Sequence, residues 1–353
     1  MKVETLLPLG KVDPGLRAAE TPLELGIVYE QAKLVESMGF DGLCAEEAKT
    51  DPFIPLTLAA EATQHLGLTT SVAIAFARSP TVTAMAAWNL QELSGGRFTL
   101  GLGPQVGAHI RRRFGLEAHP AGPWMRDYVR AVRAVWHCWQ TGTPLEYEGD
   151  HYRLNLMVPL FDPGPIGNPE IPIHLAAVNR YMCHMAGEVA DGLRPHPVCT
   201  PSYIENVMLP SLQSGAEKSG RPGFEFDVCI KPLVATAPDG SGLASRIEDV
   251  RARVAFYAST LSYRAAFEYH GLGELADRLR LLSREQHWEK MPSLISDKVL
   301  DIYATVGTYD EIAGQLVERY AGLVTSAEFS IPVTDDDDAL LLRSLVSALH
   351  QNP

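Results

Sequence analysis

Eight short β-rich runs recur along the chain, each followed by a polar turn and most by an amphipathic helix. The runs fall at 3–9, 40–45, 67–76, 97–102, 171–178, 192–195, 226–234 and 327–331. Helical patterns cover 21–38, 55–66, 81–93, 123–140 and 201–213, with Gly39 placed as a C-cap. The segment TYDE (308–311) reads as a capping box, opening a helix whose inner face is Ile312, Leu316 and Tyr320. Acidic residues 335–338 then start a Leu-rich helix reaching about residue 349, where they complement the helix dipole. Strands alternating with helices imply βαβ units and a parallel sheet. Eight such units close naturally into an α/β fold of the (β/α)8 TIM-barrel type. A length of 353 residues suits one elaborated barrel domain over 1–353.

Two stretches interrupt the rhythm. Residues 142–169 are rich in Pro and Gly, with Tyr147 and Tyr152 as anchors, and predict a long loop or small hairpin. Residues 238–305 add helices before the last unit. Insertions on the C-terminal face of a barrel commonly cover an active site.

Charge and composition remove several function classes. A net charge of −13 argues against nucleic acid as the main partner, because phosphate binding needs a basic surface. No window approaches the ~18 apolar residues of a membrane span, and MKVETLLPLG does not read as a secretory signal. The five scattered cysteines lack any C-x-x-C pair and read as small buried hydrophobes in a reducing, cytoplasmic setting. Trp136 and Trp139, at i, i+3 on a helix, read as packing residues.

Residues 100–107, LGLGPQVG, nearly spell the dinucleotide fingerprint G-x-G-x-x-G. That fingerprint ends the first strand of its βαβ unit and is followed by an acid about twenty residues later. Here the glycines follow the fourth strand and their spacing is one residue too long, so a nicotinamide site is disfavoured. The simplest alternative is a tight βα turn using glycine for its dihedrals. H-E-x-x-H, G-x-S-x-G and G-x-x-x-x-G-K-[ST] motifs do not occur, and the eleven histidines show no metal-ligand spacing.

Taken with its surroundings, the glycine stretch becomes more specific. In order, the chain carries ESMGFDGL (36–43), Asp51-Pro-Phe, GLTTSVAIAFARSP (67–80), LQELSGGRFTLGLG (90–103), IPIHLAAVNRYMCHMAGEVADG (171–192) and VGTYDE (306–311). This series resembles the bacterial luciferase-like family of flavin- and deazaflavin-dependent oxidoreductases. Segment 101–115, GLGPQVGAHIRRRFG, is most similar to an actinobacterial subgroup described as dependent on the deazaflavin coenzyme F420. The resemblance spans nearly the whole chain. It implies a (β/α)8 barrel with an insertion before the last strand, binding its tricyclic cofactor at the C-terminal mouth.

By the same resemblance, Ser71 and Val72 fall where deazaflavin-binding relatives have a non-prolyl cis peptide beneath the ring. Ala176, Ala177, Val178 and Asn179 fall where relatives offer backbone N–H groups to a cofactor phosphate, a role that suits a helix N-terminus. Gly103 would let the backbone pass close under the cofactor. Glu46 and Glu47 stand where some relatives have Asp-His. Adjacent strand residues point to opposite sides, so one of the two carboxylates should face the cavity. Glu47 is the candidate acid/base or substrate contact, and Glu46 the candidate cofactor partner. The plain alternative is a pair of acids bonded to nearby backbone or to an arginine. His109 follows the glycine turn, where relatives place a polar side chain against the cofactor, and is a candidate for cofactor contact and proton handling. Arg112 and Arg113 could reach an anionic cofactor tail, although exposed helix arginines are common. His174 reads as a hydrogen-bonded barrel histidine, and His196, ending the sixth strand, as a pocket-lining residue.

Three functions stay in view. The first is hydride transfer between coenzyme F420 and a small organic substrate. The second is a monooxygenase using reduced FMN and oxygen, and the third a flavin-binding protein without turnover. Relatives are often dimers, so a homodimer is open by analogy alone.

Overall fold

The computed structural model describes residues 1–11 and 22–351. The expected start of the first helix at 21 lies outside these residues; the helix itself spans Val28–Ser37. The barrel strands are β1 (Lys2–Leu6), β2 (Gly42–Ala45), β3 (Gly67–Thr70), β4 (Phe98–Gly103), β5 (Ile173–Ala177), β6 (Gly192–Pro195), β7 (Asp227–Ile230) and β8 (Ser326–Glu328). Each pairs in parallel with the next, and β8 returns to β1 through Val3↔Ala327, closing the ring as the alternating pattern predicts. Helices Phe53–Ala62, Pro80–Leu93, Ala121–Thr141, Arg180–Val189 and Tyr309–Tyr320 pack outside. Their apolar stripes meet the strands: Leu43, Leu68, Leu100 and Leu102 on the barrel and Leu56, Trp88 and Trp139 on the helices are buried. The TYDE box forms both reciprocal capping bonds.

Two strand expectations are corrected. The run 67–76 stops at Thr70, just before the Ser71–Val72 peptide bond, which is cis; only Ala73–Ile74 then re-pairs with the end of β4. The run 226–234 breaks after Ile230. Pro232 has no N–H to donate to a ladder, and Leu233–Ala237 leaves the barrel to pair in parallel with Ala304–Thr308. This small outer sheet fastens the 238–305 insertion, whose helices include Gly240–Ala258, Gly273–Arg284 and Asp297–Tyr303.

The 142–169 stretch contains the hairpin Tyr147–Glu148 with Arg153–Leu154. Its tyrosines do anchor it: Tyr147 Oη donates to the Asp127 carbonyl at 3.1 Å, and Trp124 Nε1 donates to Tyr152 Oη at 2.7 Å.

The glycines of β4 serve a different purpose from turn dihedrals. Gly101 and Gly103, like Gly107 beyond the strand, lack a positive φ. A Cβ at Gly101 would run into the Thr70 carbonyl oxygen, and one at Gly103 would lie 2.6 Å from Val72 Cγ2. Close approach of β4 to the end of β3 is what excludes a side chain there.

Candidate functional site

A cavity of about 550 Å³ opens at the C-terminal ends of the strands, within the size range of small-molecule sites. Every barrel strand except β1 contributes to it or to the loop above it, and Ser262 and Tyr263 of the 238–305 insertion cover one side. Glu46, Glu47, Ser71, Val72, Gly103, Ala176, Ala177, Val178, Asn179 and His196 all line it. His109 does not. Helix Gly107–Arg112 buries Ile110 and turns His109 to solvent. Arg112 is exposed as well, and Arg113 donates to the Ala48 carbonyl at 3.0 Å.

Both glutamates reach the cavity, against the alternation argument. That argument applies to strands, and β2 ends at Ala45, so residues 46 and 47 lie in the loop beyond it. Neither carboxylate is uncommitted. Glu46 forms an ion pair with Lys11. One Glu47 oxygen accepts from the Ile74 N–H at 2.7 Å and from Arg78 at 2.5 Å, and Arg78 also holds Asp51. Glu47 thus ties the loop after β2 to the segment after the cis peptide.

The cavity floor holds a buried ionic group that the sequence reading left out. Arg194, 7% exposed on β6, donates to Glu4 on β1 at 2.8 Å and to Ser71 Oγ at 3.2 Å. Cys44 Sγ lies 3.2 Å from the same Glu4 carboxylate. Burial opposes the charge on Glu4, but the guanidinium outweighs it and holds the carboxyl below its ordinary range. Arg194 Nε is buried and has no partner among the described residues. The floor beneath Ser71 therefore holds a buried ion pair with its guanidinium on the cavity side.

Deeper in the barrel, His174 lies 3.5 Å from Asp227 and 3.8 Å from Cys229 Sγ. Burial works against its protonation, yet Asp227 and Cys229 prevail and raise it to about 9. A folded value above the ordinary 6.5 stabilises the protein fully below pH 6.5, and the contribution is lost as pH rises through about 9. The unfolding free energy, from urea titrations, is expected to fall by about 3 kcal/mol more in the wild type than in His174→Gln between those limits. Parallel pH profiles would contradict this assignment.

At the rim, His196 is sandwiched by insertion residues, with ring centroids 3.9 Å from Tyr263 (stacked) and 4.5 Å from Tyr257 (edge-on). Its Nδ1 accepts from the Val198 N–H at 3.4 Å, which places the proton of the neutral ring on Nε2. Gln105, also lining the cavity, has a φ of 55° and its side-chain carbonyl oxygen accepts from the Val106 N–H. Such a conformation in a non-glycine residue marks a locally determined loop.

The far end suits an anion. Asn179 caps helix Arg180–Val189 by accepting from the Met182 N–H at 2.9 Å. The N–H groups of Val178, Asn179, Arg180 and Tyr181 have no protein acceptor among the described residues. Orphan donors and the helix dipole together favour a negative group. A planar ligand over Ser71, Val72 and Gly103, with an anionic arm toward Asn179, fits the cavity.

This fold and cavity place the chain among the (β/α)8 barrels that work at their C-terminal mouth. It belongs to the luciferase-like monooxygenase family, whose model matches residues 6–326. An uncharacterised protein of Mycobacterium tuberculosis is 43% identical over 304 residues, covering 86% of this chain and 89% of its own. A second protein of that organism, provisionally named a coenzyme F420-dependent oxidoreductase, is 30% identical over 84% of this chain and 88% of its own. The coenzyme F420-dependent tetrahydromethanopterin reductase of Methanopyrus kandleri shares the fold, with a TM-score of 0.74, 21% identity and coverage of 99% and 97%. Among the described residues, no helix is long and apolar enough to cross a membrane.

Proposed function

We propose that the protein is an oxidoreductase that uses the deazaflavin coenzyme F420 to exchange a hydride with a small organic substrate at the barrel mouth. The observation that carries this reading is one cavity joining a Ser71–Val72–Gly103 floor to the unsatisfied N–H groups at Val178 and Asn179. The preference for a deazaflavin rests on the relative named for that coenzyme. When bound, the cofactor supplies the redox carbon, and the chain supplies position and charge.

Asn179 and its neighbours orient the anionic arm, while Ser71, Val72 and Gly103 support the ring. Glu47, held by Arg78, acts as a tie between loops, so the proton-handling role moves to His196, whose Nε2–H belongs to a ring that lines the cavity. Fluorescence titration with F420 tests the reading. With an active substrate, His196→Ala is expected to lower kcat about a hundredfold or more and leave F420 affinity nearly unchanged. Equal losses in both would assign His196 to packing alone. A monooxygenase using reduced FMN and oxygen is the second reading, favoured by the description of the family model.

A further inference from the structure

Ser71 follows β3 and is tied to two other strands where they meet the main cavity. Its N–H donates to the Ala45 carbonyl at the end of β2 at 2.8 Å, and its Oγ accepts from the Arg194 guanidinium of β6 at 3.2 Å. The preceding residue is fixed in turn, with Thr70 Oγ1 donating to the Gly101 carbonyl of β4 at 2.7 Å. Ser71 and Arg194 both line the cavity, whereas Glu4, the counter-ion of Arg194, does not. The hydroxyl is therefore held against the cationic side of the buried pair.

A serine hydroxyl carries one donor hydrogen beside its acceptor lone pairs, and a guanidinium can only donate. Arg194 thus occupies the acceptor side of Ser71 Oγ and leaves its hydrogen to turn elsewhere. Among the described residues that hydrogen has no acceptor. The direction left open is the cavity that Ser71 lines. Accepting from a cation also makes the hydroxyl a stronger donor, because successive hydrogen bonds polarise one another where water is excluded.

We infer that Ser71, polarised by Arg194, donates a hydrogen bond to an acceptor atom of the cofactor ring and thereby favours its reduced form, an assignment resting on the cavity holding F420. Hydride transfer to the ring brings it one proton and two electrons and leaves the substrate oxidised by the same amount. The ring gains negative charge, which a preorganised donor stabilises. Glu4 offsets part of the guanidinium charge, so the effect is that of an oriented pair and not of a free cation. Ser71 touches the ring in this reading. Arg194 acts through it and is a positioning residue.

The midpoint potential of bound F420, read by absorbance in an anaerobic redox titration with the protein saturated, tests the assignment. Ser71→Ala should weaken reduced F420 about tenfold relative to oxidised F420, a drop of about 30 mV for a two-electron couple. Glu4→Gln/Arg194→Met removes the charge without leaving a buried ion unpaired, and should lower the potential as well. Adding Ser71→Ala to it should lower the potential little further, since both act on one hydrogen-bond chain. Glu4→Gln alone should raise it, because the guanidinium then lacks its offsetting carboxylate. A packing role would weaken both forms alike and leave the potential where it is. Unmoved potentials in Ser71→Ala and in Glu4→Gln/Arg194→Met would therefore overturn the assignment. Failure of the wild type to bind F420 would instead sink the functional reading, and the same variants loaded with FMN then decide on the donor by the same shift or its absence. Binding of neither F420 nor FMN would overturn both.

Discussion

Arg194→Met is expected to destabilise the protein by about 3–5 kcal/mol, the usual result of removing one partner from a buried ion pair. Glu4 would be left as a buried carboxylate with the Cys44 thiol and the Ser326 hydroxyl as its hydrogen-bonding neighbours and His174 as the nearby compensating charge. Lysine is a poor substitute, because one ammonium lacks the fork that serves Glu4 and Ser71 together. The double variant Glu4→Gln/Arg194→Met should recover much of the loss, since an uncompensated charge is costlier than an absent pair. Urea unfolding of the two singles and the double measures this cycle. A loss below about 1 kcal/mol for Arg194→Met would mean that water reaches Glu4 and that the floor is not a closed ionic site.

The largest expected effect on function belongs to Gly103→Val. Even a Cβ there would sit 2.6 Å from Val72 Cγ2 and 3.6 Å from Ala176 Cβ. Val72 is β-branched and stiff about χ1, so relief comes by pushing side chains into the cavity rather than by a small rotation. The floor would rise where the ring is proposed to lie. F420 affinity is expected to fall about a hundredfold or more, while secondary structure by circular dichroism stays near wild type. Unchanged F420 binding by this variant would remove the floor from the cofactor site.

The barrel was legible because each strand buries its apolar residues against helices of a different period, a local signal that survives in sequence. The breaks were not. Phe226 to Val234 is continuous in β propensity, and only Pro232 hints that the chain leaves the ring after Ile230. Within the site, loop residues at strand ends were placed by family resemblance, and most of them converge on one cavity. Glu47 illustrates the limit: its partners Ile74 and Arg78 lie 27 and 31 residues away, and no spacing rule links them. Arg194 is the instructive omission. A charge inside the strand run GLRP was the available signal, since such a residue needs a buried partner. That partner, Glu4, is 190 residues distant and becomes a neighbour only when β1 and β6 face each other in the closed barrel. His109 is the opposite case: motif position suggested contact, and the short helix Gly107–Arg112 leaves it exposed and outside the cavity lining.

The central claim is that the cavity holds a deazaflavin. Parallel titrations of the purified, cofactor-free protein with coenzyme F420 and with FMN, each followed by ligand fluorescence, test it most directly. The account predicts saturable F420 binding at about micromolar affinity or better, with FMN markedly weaker and the F420 signal lost in Gly103→Val. Tight binding of FMN with none of F420 would contradict it.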